Sequence, residues 1–317
     1  MCEVITIGET LVEIIRPSAG QPLDFTGEFH GPFASGAPAI FAVAAARLGL
    51  STAFIGAIGD DAFGRLLEKR FAAEKVDSTG LQYPNGFATG AAFVAYDDFG
   101  EREFVFHIRH AASGQISANI FPVGLFEDAH WLHISGSTIF LNENCRSACQ
   151  KAMDLIMDQG GKISLDPNLR PELMSVDEAS KVLAPFLAAA NLVLPTESEA
   201  RALTGESKIT RAVEALTAKH GAIVVLKRGP AGCSIYYNGK RLDVPGFVVK
   251  EIDPTGAGDC FSAAFIAGLE ANWPLEQIGR FANAAGALAV TQLGPMEGAP
   301  TRHQVEIFLS TEKTESE

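Results

Sequence analysis

Cysteine is sparse: Cys2, Cys145, Cys149, Cys233 and Cys260 are the five in 317 residues, an odd number, too scattered for a disulfide framework. A reducing, cytoplasmic setting is the expectation. No Lys/Arg-rich stretch interrupts an acidic chain of formal net charge -13, so nothing in it could track a phosphate backbone or an anionic membrane. Neither nucleic acid nor a membrane is expected as a partner. Apolar runs such as AIFAVAAARLGL are too short to span a bilayer. The opening MCEVITIGE alternates like a strand and shows no basic flank or cleavage-like site of a signal peptide. The first strand is not followed by GxGxxG, which tells against a dinucleotide dehydrogenase. HExxH is missing too, and Cys145 and Cys149, at helical i, i+4 spacing, have no third ligand nearby. No internal repeat or low-complexity tract is visible.

What is present is abundant apolar sequence, 47% of the chain, enough for a large core. Short β-branched runs alternate with Ala/Leu-rich helical stretches, which predicts an α/β fold: a mainly parallel central sheet with helices on both faces. VITIG, TAFIGAIG, HWLHIS, KISLDPN, NLVLPT and AIVVLKRG read as strands; residues 36–48 and 61–75 read as helices. Ligands bind at the carboxyl ends of such strands. Residues 10–30 and 87–108 alternate apolar and polar with no helix between their strands, which predicts a small antiparallel β sheet. In AAFVAYDDFGEREFVFHIR the turn DDFGE joins two strands. That hairpin reads either as a lid that folds over a site and excludes water or as an ordinary edge hairpin. A single unit is expected over 1–310, and TEKTESE at 311–317 as a frayed polar tail.

The strongest local pattern is DPTGAGDCFSAAFIAGLE: a strand ending near Ile252, a Gly-rich turn, then a small-residue helix. Gly256, Ala257 and Gly258 carry so little side chain that successive backbone N–H groups could point at a phosphate, with the helix N-terminus adding partial positive charge. Asp259 opens the helix and has two readings, an N-terminal cap or a base aimed at an acceptor hydroxyl. Phosphoryl transfer requires both charge stabilisation and an oriented nucleophile, which favours the base.

DPTGAGD with its following helix resembles the C-terminal signature of the ribokinase-like (PfkB) sugar kinases. A second signature is matched imperfectly by Ser35-Gly36-Ala37-Pro38-Ala39-Ile40-Phe41-Ala42 and VAAARLG, and GDDAFG, HISGS, DPNLR, PTESEA and LKRGPAG resemble family landmarks in order. The resemblance covers nearly the whole chain. It implies an ATP-dependent sugar kinase with Asp259 as base and the Gly256–Gly258 turn as phosphate cradle. It places Lys227, Gly229, Gly232 and Asn283 at ATP, although a plain hairpin turn is the alternative for KRGPAG. Glu199 would organise Mg2+ through water, with Thr196 where the family usually has Asn. Asp253 and Thr255 match positions that hold a monovalent cation such as K+ in several relatives, although Asp253 could equally cap the turn.

At the substrate end, Ile40 replaces a sugar-contacting Asn and Ser35 replaces a Gly. Gly36 permits close backbone approach, and Glu13 stands where ribose-type kinases use Asp. His107 in the hairpin is a candidate sugar contact. DPNLR brings Asp166, Asn168 and Arg170, and Arg109 and Arg170 could converge on an oxygen-rich or anionic ligand. SGAPAIF with FHIRHAASGQI looks like tagatose kinases, whereas Arg109, DPNLR and GPMEGAP look like 2-keto-3-deoxygluconate kinases; fructose is a third option. A ketohexose ranks first because Ile40 departs from the keto-acid enzymes. The rival outside catalysis is a sugar or nucleotide sensor on the same fold. A homodimer through the lid strands is also expected, because their edges would be free for a second subunit.

Overall fold

A computed structural model describes residues 2–99, 102–217 and 222–314. Its larger sheet has nine strands: β1 (Val4–Ile7), β4 (Thr52–Ala57), β5 (Asp77–Gln82), β8 (Trp131–Ser135), β9 (Lys162–Asp166), β10 (Leu192–Val193), β11 (Ile223–Lys227), β12 (Cys233–Tyr237) and β13 (Lys240–Val244). Their order is β13-β12-β11-β10-β9-β8-β1-β4-β5. Every pairing from β11 to β5 is parallel, and β11–β12 and β12–β13 are antiparallel hairpins.

The helices are α1 (Ala37–Arg47), α2 (Ala62–Ala73), α3 (Gly136–Ile139), α4 (Glu143–Asp158), α5 (Val176–Ala189), α6 (Glu197–Thr204), α7 (Ile209–Thr217), α8 (Ala257–Glu270), α9 (Leu275–Ala289) and α10 (Arg302–Thr314). Because side chains alternate along a strand, each strand feeds two cores. Val4, Phe54 and Trp131 pack with α1, α8 and α9, whereas Ile5, Ile55 and Leu132 pack with α4, α5 and α7. Burial on both faces explains why β1 and β4 read as continuous apolar runs.

The smaller sheet has the order β3-β2-β6-β7, from β2 (Leu11–Ile15), β3 (His30–Ser35), β6 (Gly90–Tyr96) and β7 (Arg102–His107). Each stretch gives one antiparallel hairpin, but the first runs past its expected end at residue 30, because β3 covers His30–Ser35; the hairpins join through a parallel β2–β6 pairing. The tip of the DDFGE turn, at 100–101, lies outside the described residues. The strand expected to end near Ile252 is absent: β13 stops at Val244, where Pro245 and Gly246 follow, and the chain continues without strand pairing to α8. Of TEKTESE, Thr311–Thr314 continue α10 and 315–317 lie outside the described residues. Among the described residues no helix is long and apolar enough to cross a membrane, and all five cysteines are free thiols.

Candidate active site

Two cavities meet above the carboxyl ends of the large sheet. The first, about 440 Å³, runs between those strand ends and the inner face of the small sheet. The second, about 280 Å³, lies between α8, α9 and the loop after β13. Lys227, Gly229, Pro254 and Gly258 line both, so the DPTGAGD segment is their shared wall.

The turn is built as its glycines suggest. Gly256 caps α8 at φ 84°, and a Cβ there would meet the Pro295 carbonyl at 2.4 Å and Ile40 Cγ2 at 3.1 Å. No residue with a side chain fits. Ile40 therefore lies beneath the cradle as well as lining the larger cavity. A Cβ on Gly258 would stand 3.4 Å from Lys227 Nζ, which puts an ammonium over the cradle.

Asp259 lies in the first turn of α8, 9% exposed, on the wall of the larger cavity. Its carboxyl is pushed up to about 8, first by burial and then by the charge of Asp166, against the pull of Lys227 and Arg170. The N-cap of α8 is Gly256 and Asp259 sits three positions inside the helix, so Asp259 is not its N-cap residue. Asp166, at the end of β9, accepts a hydrogen bond from Lys227 Nζ at 2.5 Å and one from Ser262 Oγ at 3.5 Å. Burial works against the Lys227 charge, but Asp166 and Glu199 outweigh it and hold the ammonium above its ordinary value.

The end of the larger cavity against the small sheet holds several buried polar side chains. Glu13 is 3% exposed; its Oε2 accepts from Ser35 Oγ at 2.9 Å, and its buried Oε1 has no partner. Burial raises its carboxyl to about 7, against the Ser35 hydrogen bond. Gly36, at φ 110°, opens α1 with its Cα against the Glu9 carbonyl, where a Cβ would sit 2.4 Å away. Asn168 donates from its side chain to Ser135 Oγ at 3.1 Å and from its backbone to Asp166 Oδ1 at 3.1 Å. Arg170 lines the same cavity.

His107 and Arg109 do not line it. His107 is exposed on the outer face of β7, edge-on to Phe93, and Arg109 is exposed and donates to the Leu173 carbonyl at 2.5 Å. The inward face of β7 carries Arg102, Phe104 and Phe106. The guanidinium that converges with Arg170 is that of Arg102: the two stand 5.4 and 5.9 Å from the Phe104 ring centroid. The two-residue period along REFVFHI was the available signal, because apolar Phe104, Phe106 and Ile108 share a face with Arg102.

Glu9 was also missed. Fully buried beside the cavity after β1, it accepts from Ser137 Oγ at 2.6 Å and from Thr138 Oγ1, and burial raises its carboxyl despite those bonds. A lone Glu after an apolar strand gives no sign of this role.

At the other cavity Gly232 and Asn283 line the wall. Both amide hydrogens of Asn283 go to the Val244 and Pro245 carbonyls, 3.2 and 2.9 Å away, so Asn283 fixes the loop rather than presenting donors to a ligand. Gly229 opens a short turn between β11 and β12; the KRGPAG stretch is thus both a hairpin turn and a cavity wall. Phe247, Val248, Val249 and Val290 supply an apolar surface that the sequence reading passed over.

Thr196 and Glu199 form a capping box at the start of α6, and Glu199 also accepts from Leu169 N at 2.8 Å. Both line the larger cavity. Glu199 Oε2 is taken by Thr196 N and Thr196 Oγ1, whereas Oε1 accepts only Leu169 N and keeps a lone pair; with Asp166 and Asp259 the donors are all oxygen, which suits Mg2+ held mostly by water and phosphate. Among the described residues no cluster of three or more His, Cys, Asp or Glu would hold a metal alone. Asp253 is fully buried and accepts from Tyr96 Oη, Thr255 N and Gly294 N at 2.7, 2.9 and 2.9 Å; Thr255 lines the larger cavity.

Comparison with known proteins identifies the family. Residues 1–302 match the pfkB family carbohydrate kinases. Fructokinase-1 of Oryza sativa subsp. japonica is 35% identical over 95% of this chain and 96% of its own. The crystal structure of a putative ribokinase II from E. coli in complex with ATP and Mg2+ is 38% identical with a TM-score of 0.92, covering 98% of this chain and 100% of that one. A double mutant of Vibrio cholerae O395 fructokinase, with fructose, ADP and a potassium ion bound, is 30% identical with a TM-score of 0.86 over 98% of each chain. The glycine cradle, the two-sheet architecture and matches across almost the full length lead to one assignment: the chain belongs to the pfkB family and is a carbohydrate kinase of ribokinase-like fold.

Proposed function

We propose that this kinase transfers the γ-phosphate of ATP to a primary hydroxyl of a ketohexose, fructose or tagatose, with Asp259 as the base. The observation that carries the reading is the position of Asp259, buried on the wall of the polar cavity beside Gly258, which both cavities share. A sugar in the larger cavity and a nucleotide in the smaller would meet end to end across the cradle.

In this reading Asp259 takes the hydroxyl proton as the oxygen attacks phosphorus, and ADP leaves with the bridging oxygen. Lys227 and the N–H groups of the cradle stabilise the charge on the transferring phosphoryl. Glu13 Oε1 takes a sugar hydroxyl, and Gly36 lets the ring approach the backbone. Mg2+ near Glu199 supplies charge neutralisation at the phosphates. K+ near Asp253 and Thr255 is an added expectation, drawn from the potassium-bound relative. A cytoplasmic setting and a homodimer covering the free edges of β3 and β7 complete the reading; sedimentation tests the dimer.

A second reading, 2-keto-3-deoxygluconate as substrate, is favoured by one observation: Arg102 and Arg170 flank Phe104 in the same cavity, a pair suited to a carboxylate. ADP release with magnesium and ATP across D-fructose, D-tagatose, 2-keto-3-deoxygluconate and ribose decides between them. Highest kcat/KM for a ketohexose is expected. Preference for the keto acid would replace the first reading with the second, and ligand binding without ADP release from any sugar would favour the sensor.

A further inference from the structure

Tyr96 ends β6, and its register partner is Arg102 at the start of β7. The two side chains stand on the inner face of the small sheet, where Arg102 reaches the sugar cavity. Tyr96 does not line that cavity. Its hydroxyl crosses to the large sheet's side of the site and donates to Asp253 Oδ1 at 2.7 Å, spanning 157 positions in sequence.

Asp253 is a three-way joint. Oδ1 also accepts Thr255 N, at the entry to the cradle, and Oδ2 accepts Gly294 N. The residue after Gly294 is Pro295, whose carbonyl backs Gly256 so closely that no Cβ fits between them. One fully buried carboxylate thus holds the small sheet, the front of the cradle and the segment behind it. Loss of the Tyr96 hydroxyl alone would break this connection.

We propose that Tyr96 is a positioning residue: through its hydrogen bond to Asp253 it couples occupancy of the sugar cavity, felt at Arg102, to the shape of the phosphate cradle. A sugar that draws the small sheet inward moves Tyr96 and, through Asp253, sets the Thr255–Gly258 backbone for the nucleotide. The coupling is reciprocal, so nucleotide should tighten sugar binding by the same factor. The inference rests on the kinase reading above.

The test compares wild type with Tyr96→Phe, which removes the hydroxyl and preserves the ring. Calorimetric titration of Mg2+ and a non-hydrolysable ATP analogue, without and with saturating D-fructose, gives the ratio of the two Kd values. In wild type fructose is expected to tighten the nucleotide by about fivefold or more. In Tyr96→Phe that ratio should approach one while each ligand alone binds within about twofold of wild type, and kcat should fall on the order of tenfold through a misplaced cradle. An independent readout needs no variant: fructose alone should slow amide exchange in the wild-type segment 253–262.

An unchanged ratio in Tyr96→Phe, or no fructose effect on exchange at 253–262, overturns the coupling and leaves the kinase reading standing. A wild type that binds neither ligand overturns both.

Discussion

The two cavities differ sharply in what they are made of. The larger gathers Glu9, Glu13, Asp166, Asp259, Glu199, Arg102, Arg170 and Lys227, from strand ends, the starts of α6 and α8 and the small sheet. The smaller has an apolar wall of Phe247, Val248, Val249, Phe261 and Val290, and its one buried amide side chain is committed to backbone carbonyls. On the proposed reading, charge is concentrated where hydroxyls would be read and a proton moved. On that reading the nucleotide side, in contrast, depends on shape and on the shared lysine and glycines. Removing a charge should therefore damage chemistry or sugar affinity, and filling space should damage nucleotide affinity alone.

The largest effect is expected at Asp259. Asp259→Asn should lower kcat by about 10²–10⁴-fold, with nucleotide and sugar affinity measured by calorimetry kept within a few-fold. The same residue has a stability signature. Its folded value near 8 lies above the ordinary carboxylate value near 4. The fold therefore penalises the ionised form, not at all below about pH 4 and increasingly as pH rises toward 8. Asp259→Asn should melt progressively higher than wild type as pH rises from about 4 to about 8, with the difference levelling off above that, and loss of that trend in thermal scans would contradict the burial argument.

Next in size is the pH profile. The free enzyme must ionise a carboxyl held up near 8, so kcat/KM for sugar should climb through neutral pH and level off near that value rather than at about 4–5.

Arg102→Ala should raise the sugar KM by about tenfold, from loss of a charge-assisted contact, and raise the ATP KM by no more than the roughly fivefold coupling between the two sites. Arg109→Ala is the matched control and should change either constant by less than about threefold, as for an exposed contact. Equal losses in the two variants would mean that the inward face of β7 has been misjudged.

The smallest effect is on the apolar side. Gly286 lines the smaller cavity, and a Cβ there would meet the Ala257 carbonyl at 3.3 Å. Gly286→Val should raise the ATP KM several-fold and spare sugar binding. A sugar defect of equal size would show that the two cavities are not separable.

How much of this was legible in the sequence varied by the kind of residue. The cradle was legible because Gly256 answers a steric demand that no other residue meets, and the sheet was legible because strands buried on both faces must be apolar throughout. Arg102 was hidden behind Arg109: both are arginines in one strand region, and only the facing parity of the neighbouring phenylalanines separates them. The apolar nucleotide wall was hidden differently. FVVKEI carries a strand's composition, but Pro245 and Gly246 release it from β13, and its valines cover a cavity rather than a neighbouring strand. Glu9 and Tyr96 act through partners more than 120 positions away, contacts that no local pattern records.

The most direct test is ADP release by wild type and Asp259→Asn at pH 8, with saturating ATP, magnesium and D-fructose and with ligand binding checked on both proteins. The account predicts sugar-dependent ADP release by wild type and a loss of about 10²–10⁴-fold in the variant with binding retained. A variant that binds both ligands and still turns over at near the wild-type rate would contradict Asp259 as the base.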